Sequence, residues 1–201
     1  MRRVGLCLLL AAPVGLLGCG GGPRPYRAMA RAARSEENLA SKLEDRAMKA
    51  EVRASLMEDG TLGGADVTPY VYMGRVFLVG SVATAAQRDA AIADGWKAQG
   101  VRSVEAYLPQ APRGKRAASS AGSDRALKAE LKGKLSLDPA LTTRVDLEMV
   151  GGHAVLLGVV PSQQDVQSAG AIAQGVGGVA GVTNFLLVPE EGYERLRPRV
   201  M

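Results

Sequence analysis

A chain of 201 residues can hold one domain or two. Its net charge of +5 sits outside the stretches that read as folded: residues 45–108 carry 7 basic against 8 acidic groups, and residues 124–189 carry 5 against 6. That balance excludes a strongly basic nucleic-acid groove and leaves the surplus in tethers suited to weak attraction to an anionic surface. Cys7 and Cys19 both fall within or at the end of a leader segment, so the processed chain has neither a disulfide nor a cysteine-held metal.

The leader starts with Arg2 and Arg3, runs apolar from Val4 to Leu17 and ends in Leu16-Leu17-Gly18-Cys19. It is too short to span a bilayer as a stable helix and reads as a secretory signal peptide over 1–18. Its end resembles the bacterial lipobox, which implies cleavage before Cys19 and attachment of diacylglycerol and a further acyl chain there. Such chains bury enough methylene to hold a protein on a membrane it does not cross. Gly20 stands where Asp would signal inner-membrane retention, so the resemblance implies the periplasmic face of an outer membrane.

Residues 19–44 form a tether. Gly20 to Pro25 is a flexible spacer, and Tyr26 to Leu43 is rich enough in alanine to be partly helical. From Asp45 the chain is written twice. Asp45-Arg46-Ala47-Met48-Lys49-Ala50-Glu51-Val52-Arg53-Ala54-Ser55-Leu56 matches residues 124–135 at seven of twelve positions, with an offset of 79. Gly74 to Val82 then matches Gly152 to Val160, and Gly100 to Leu108 matches Gly178 to Leu186, both at an offset of 78. A duplication of this length fixes two domains, 45–108 and 124–189. Units of about 65 residues have thin cores, so they are expected to lean on each other or on a partner.

In the first unit Met48, Val52 and Leu56 recur at helical spacing, as do Leu127, Leu131 and Leu135 in the second, and each set gives one buried stripe. Asp45 and Asp124 stand where an N-cap or first-turn acid is favoured. Two strands follow in each unit, Asp66 to Met73 with Arg75 to Val82, and Arg144 to Val150 with His153 to Val160; glycines at the turns make hairpins. Gly80 and Gly158 near the end of the second strand predict close backbone approach or a bulge. Helices come next, Thr84 to about Ala98 and Ser162 to about Val176, opened by cap patterns and stopped near Gly100 and Gly178. Val101 to Leu108 and Val179 to Val188 are closing strands. Pro109 to Ser123 is a basic linker by composition, and residues 190–201 a C-terminal tail that frays. The predicted class is α+β, two αββαβ sandwiches in tandem.

The αββαβ order, the paired Gly80 and Gly158, and the Gly-Val-x-x-Val endings at 100–104 and 178–182 resemble a tandem pair of BON domains. With the leader, the layout is similar to that of dual-BON envelope lipoproteins. One departure is the Asp94-Gly95-Trp96 end of the first unit's second helix, which is alanine-rich in the other unit and suggests a different partner surface. The resemblance implies a non-catalytic protein of envelope integrity and envelope stress that binds phospholipid and needs no cofactor.

The residues themselves point away from catalysis. His153, the single histidine, is placed in a solvated β turn without a nucleophile motif. The carboxylates are scattered, and no pair recurs in both units at a spacing that suggests glycosidase work; Gly60 to Gly64 lacks the lysine ending of a phosphate loop. Tyr70, Tyr72, Phe77, Tyr107 and Phe185 could stack bases on an open sheet, but export removes that ligand, and no nucleic-acid partner is expected. Arg125, Lys128, Lys132 and Lys134 give the second unit's first helix a cationic side, read with the resemblance as the site for anionic phospholipid headgroups. The alternative is an envelope adaptor whose BON domains dock a protein partner, around an uncharged patch such as Trp96, or peptidoglycan.

Overall fold

The computed structural model describes residues 24–62, 65–111 and 115–189, with side chains over 40–62, 65–111 and 122–189. The expected signal peptide 1–18, the attachment residue Cys19 and the tail 190–201 lie outside the described residues.

Each repeat is built as helix, hairpin, helix, strand. The first comprises α1 (Arg24–Glu58), a 3-10 turn (Gly60–Leu62), β1 (Asp66–Tyr72), β2 (Arg75–Ser81), α2 (Ala85–Gly95) and β3 (Ser103–Tyr107). The second comprises α3 (Lys115–Ser136), β4 (Val145–Val150), β5 (His153–Val159), α4 (Gln163–Gln174) and β6 (Gly181–Leu187). The sheets run β1-β2-β3 and β4-β5-β6. In both, the hairpin is antiparallel and the last strand returns parallel to the middle one, as the crossover helix requires. Pro69, which cannot donate to a ladder, sits on the edge strand β1.

One helix carries through a stretch rich in helix formers, and the other starts earlier than composition suggests. α1 already runs through the tether from Arg24, and α3 begins at Lys115 inside the stretch expected as linker. Lysine, arginine and alanine at 115–118 are good helix formers, and the single Gly122 costs only about 1 kcal/mol. Asp45 and Asp124 are therefore interior to their helices and cap nothing locally. They reach instead to the hairpin turns. Asp45 accepts from the Met73 and Gly74 amides at 2.8 and 2.9 Å, and Asp124 accepts from Gly151 and Gly152 at 2.8 and 2.7 Å. Burial raises the Asp45 pKa, and the two amide bonds pull it back.

Both turns need positive φ at two successive residues. The second repeat supplies Gly151 and Gly152, but the first puts Met73 at φ 55 beside Gly74 at φ 70. A β-carbon there costs about 1–2 kcal/mol, less the entropy a glycine adds to the unfolded chain. Met73→Gly is accordingly expected to raise stability by about 0.5–1 kcal/mol, read as a higher urea midpoint. A lower midpoint would mean that the thioether makes contacts worth more than the strain.

Each sheet buries one face under its own helices. Met48, Val52 and Leu56 pack on Val76, Leu78, Val82 and Ala91. Leu131 and Leu135 pack on Ala154, Leu156, Val160, Ala169 and Ala173. The middle strands are buried on both faces: Val76 to Gly80 and Ala154 to Gly158 are buried without interruption. The alternate residues Phe77 and Val79 meet Val155 and Leu157 in a third core, so the two repeats lean on each other, sheet against sheet.

Candidate functional site

The third core is the meeting of two unlike surfaces. The first sheet contributes Tyr70, Tyr72, Phe77, Val79 and Tyr107, while the second contributes Val150, Val155, Leu157, Phe185 and Leu187. Phe77 packs on Phe185 at 5.2 Å and on Tyr72 at 6.2 Å between ring centroids. Tyr107 stacks on His153 at 4.4 Å. The five aromatics that an RNA-binding sheet would expose are therefore spent between the domains. His153 is correspondingly no solvated turn residue. It opens β5, is half-buried, and its Nε2 lies 2.9 Å from the Thr183 hydroxyl. Burial lowers its pKa, so its contribution to stability is present above the ordinary imidazole range and is lost as pH falls through the depressed value.

Polar groups at the rim tie the sheets together. Tyr70 donates to Glu148 Oε1 at 2.5 Å, and Tyr72 donates to Asp146. Burial first, and then the carboxylate partners, push both phenols well above the usual tyrosine range, so both stay protonated donors at any physiological pH. Residues 70 and 148 are the same position in the two repeats, and so are Lys49 and Lys128. Lys49 lies over the Tyr70 ring at 4.7 Å, and Lys128 pairs with Glu148 Oε2 at 2.8 Å. A continuous chain, Lys49 to Tyr70 to Glu148 to Lys128, thus joins α1 to α3 across the interface.

Beside this chain lies a cleft of about 330 Å³, lined by Lys128, Lys132, Leu135, Leu141 and Leu147 from the second domain and by Tyr70 from the first. The hydroxyls of Ser136, Thr142 and Thr143 complete its polar wall, and Asp146 and Glu148 stand on the interface side. Of the four cations singled out in sequence, Lys128 and Lys132 come together on this cleft. Arg125 is exposed three residues before Lys128, on the same side of the helix by spacing. Lys134 is directed elsewhere and pairs with Glu130 at 3.2 Å.

The glycines singled out occupy two kinds of place. At Gly80 and Gly158, with φ 152 and 131, a β-carbon would stand 1.7 and 2.0 Å from the carbonyl oxygens of Asp66 and Arg144. Gly100 and Gly178, at φ 82 and 93, turn the chain into the closing strands, where the Arg102 and Ala180 amides donate to the carbonyls of Gly74 and Gly152 at 2.9 and 2.8 Å. At the departure between repeats, Asp94 is buried under Lys97 at 2.5 Å, and Trp96 is 51% exposed. No group of three or more His, Cys, Asp or Glu suited to a metal occurs among the described residues.

Sequence reasoning expected the units to lean on each other or on a partner but missed that they meet sheet to sheet, and it missed the two aspartate staples. The signal for the first was present in the unbroken apolar runs Val76 to Val79 and Ala154 to Leu157, since a strand with one wet face alternates instead.

Several known proteins are similar to this chain. Osmotically-inducible protein Y of Escherichia coli is 30% identical over 145 residues, spanning 72% of this chain and 72% of its own length. Two structures of CdsD, a structural protein of the type III secretion system of Chlamydia trachomatis, align over 76% and 70% of this chain and 98% and 96% of theirs. Their identities are 16% and 14%, with TM-scores of 0.32 and 0.30. The BON domain family matches residues 44–110 and again 123–190. With two thirds of its length accounted for by those two matches, the chain belongs to the BON-domain family, as a tandem pair of non-catalytic modules.

Proposed function

We propose that this protein is an outer-membrane lipoprotein, held through Cys19 and facing the periplasm, that supports envelope integrity by binding anionic phospholipid headgroups through its second domain. The observation that carries this reading is the convergence of Lys128 and Lys132 on a cleft walled by Leu135, Leu141 and Leu147. Cations beside apolar surface suit a phosphate attached to acyl chains, and each lysine near an anionic surface contributes on the order of 1 kcal/mol. Because the sheets cover one another, headgroups reach the helix faces and the cleft rather than a sheet.

The test compares the acyl-free fragment 36–201 with Lys132→Glu, Arg125→Glu and the first-domain pair Arg46→Glu/Lys49→Glu on anionic and zwitterionic vesicles. Lys132 and Arg125 are exposed, so the fold should survive their reversal. Lys132→Glu is expected to weaken anionic binding roughly thirtyfold, by losing one attraction and adding one repulsion of about 1 kcal/mol each, with the effect shrinking as salt rises. Parent-like binding by both second-domain variants would remove this helix from the site, and loss in the first-domain pair alone would move the site to the other repeat.

A protein-docking role is favoured by one observation, the half-exposed Trp96 in a segment where the repeats differ. Trp96→Ala should leave vesicle binding intact and abolish capture of an envelope partner if that role is the operative one.

A further inference from the structure

The cleft and the domain interface share a carboxylate. Glu148 has both oxygens occupied, one by the Tyr70 hydroxyl of the first domain and the other by Lys128 of the second. Asp146, two residues along the same strand, accepts from Tyr72. Lys128 is the ion-pair partner of Glu148, and it is also a wall of the cleft. A phosphate entering the cleft toward Lys128 and Lys132 has to compete with Glu148 for the same ammonium. Once that ammonium turns to the phosphate, the half-buried Glu148 faces an incoming anion with the exposed Asp146 two residues away on the same strand, and like charges there repel. The relief open to them is withdrawal of β4 from Tyr70 and Tyr72.

We infer that uptake of an anionic phosphate group at Lys128 and Lys132 loosens the packing of the two sheets, with Glu148 as the group that links site and interface. The inference rests on the phospholipid reading above and adds its regulation. Linkage makes the effect reciprocal: whatever opens the interface strengthens phosphate binding by the same factor. An open pair of domains would present the aromatic and aliphatic faces now hidden, so a headgroup would act as the signal that unmasks them.

The experiment uses the full chain carrying Cys7→Ser, Cys19→Ser and Val79→Cys. Val79 is 2% exposed in the third core, so its thiol reacts with a maleimide only when the sheets part. Calorimetry measures binding and thiol labelling measures opening, with short-chain phosphatidylglycerol, short-chain phosphatidylcholine and inorganic phosphate as probes. Phosphatidylglycerol is expected to bind and to speed labelling roughly fivefold or more, while phosphatidylcholine does neither. Acceleration by inorganic phosphate as well assigns the effect to the phosphate itself, whereas acceleration by phosphatidylglycerol alone assigns it to the lipid; either supports the link. Glu148→Gln should label faster without ligand, bind phosphatidylglycerol several-fold more tightly, and lose the ligand-induced acceleration. Tyr70→Phe keeps the ring under Lys49 and should reproduce the faster basal labelling if Glu148→Gln folds poorly. Phosphatidylglycerol that binds without changing the labelling rate overturns the link and leaves the phospholipid reading standing. No binding to the parent overturns both.

Discussion

Gly80→Val and Gly158→Val are each expected to cost more than about 4 kcal/mol and to leave no cooperative melt at moderate temperature. The cause is the edge strand. Gly80 lies opposite Val67 in the β1–β2 register, and a β-carbon at 80 would stand 1.7 Å from the Asp66 carbonyl oxygen and 3.1 Å from the Val67 Cα. At Gly158 the Arg144 carbonyl oxygen would be 2.0 Å away. These obstacles are backbone, so relief means displacing β1 or β4 from the ladder, and the φ values of 152 and 131 would strain any side chain even after that. Whole domains of this size have only about 5–15 kcal/mol to lose. Gly133→Ala is the control: it sits in the interior of α3 with nothing within 4 Å of a new β-carbon, and it should gain up to about 1 kcal/mol. Thermal melts of the three variants decide the matter. Unchanged melting of Gly80→Val would mean that β1 does not cross as closely as described.

The repeated elements were legible in the sequence because their causes are local. Leu131 and Leu135 announce a buried stripe by spacing alone, and Thr84 and Ser162 announce helix starts by the amides they accept from, at Gln87 and Asp165. The partners of Asp45 and Asp124 were not legible. An acid near a helical stretch has a ready local explanation, and the turn amides it holds lie 28 to 29 residues away for Asp45 and 27 to 28 for Asp124. The early start of α3 was hidden by the same kind of ambiguity, since Lys115 to Ala121 reads as a basic linker by composition and as helix by propensity.

The candidate site was half legible. Helical spacing put Lys128 and Lys132 on one side, and the structure brings them to one cleft. Spacing also separates Lys134 from them, a consequence that counting charges along the helix overlooks. What spacing cannot reveal is that Lys128 is already engaged by Glu148, 20 residues on, or that Tyr70 of the other repeat forms part of the wall. Both facts depend on how the two sheets meet, which is the least local feature of the fold.

That meeting is tested by Phe77→Ala, expected to cost about 3–5 kcal/mol. Phe77 is 0% exposed although it points away from its own helices, so the packing that truncation removes is packing against the other domain: the Phe185 ring, and Val155 and Leu157 in the same cluster. Two units of about 65 residues, each with a thin core, should melt as one while they share this third core. Removing the largest side chain from its centre should lower the melt and divide it in two, with the domains unfolding in turn. Leu78→Ala provides the contrast, because Leu78 faces the first domain's own core and should destabilise that domain at a similar cost. In a double-mutant cycle Phe77→Ala and Phe185→Ala should couple by about 0.5–1.5 kcal/mol, the usual worth of such a ring pair beyond area, whereas Leu78→Ala and Phe185→Ala should be close to additive. A Phe77→Ala chain that melts once, at the parent temperature, would mean that the sheets do not stabilise one another, and the link between headgroup and interface through Glu148 would then have nothing to act on.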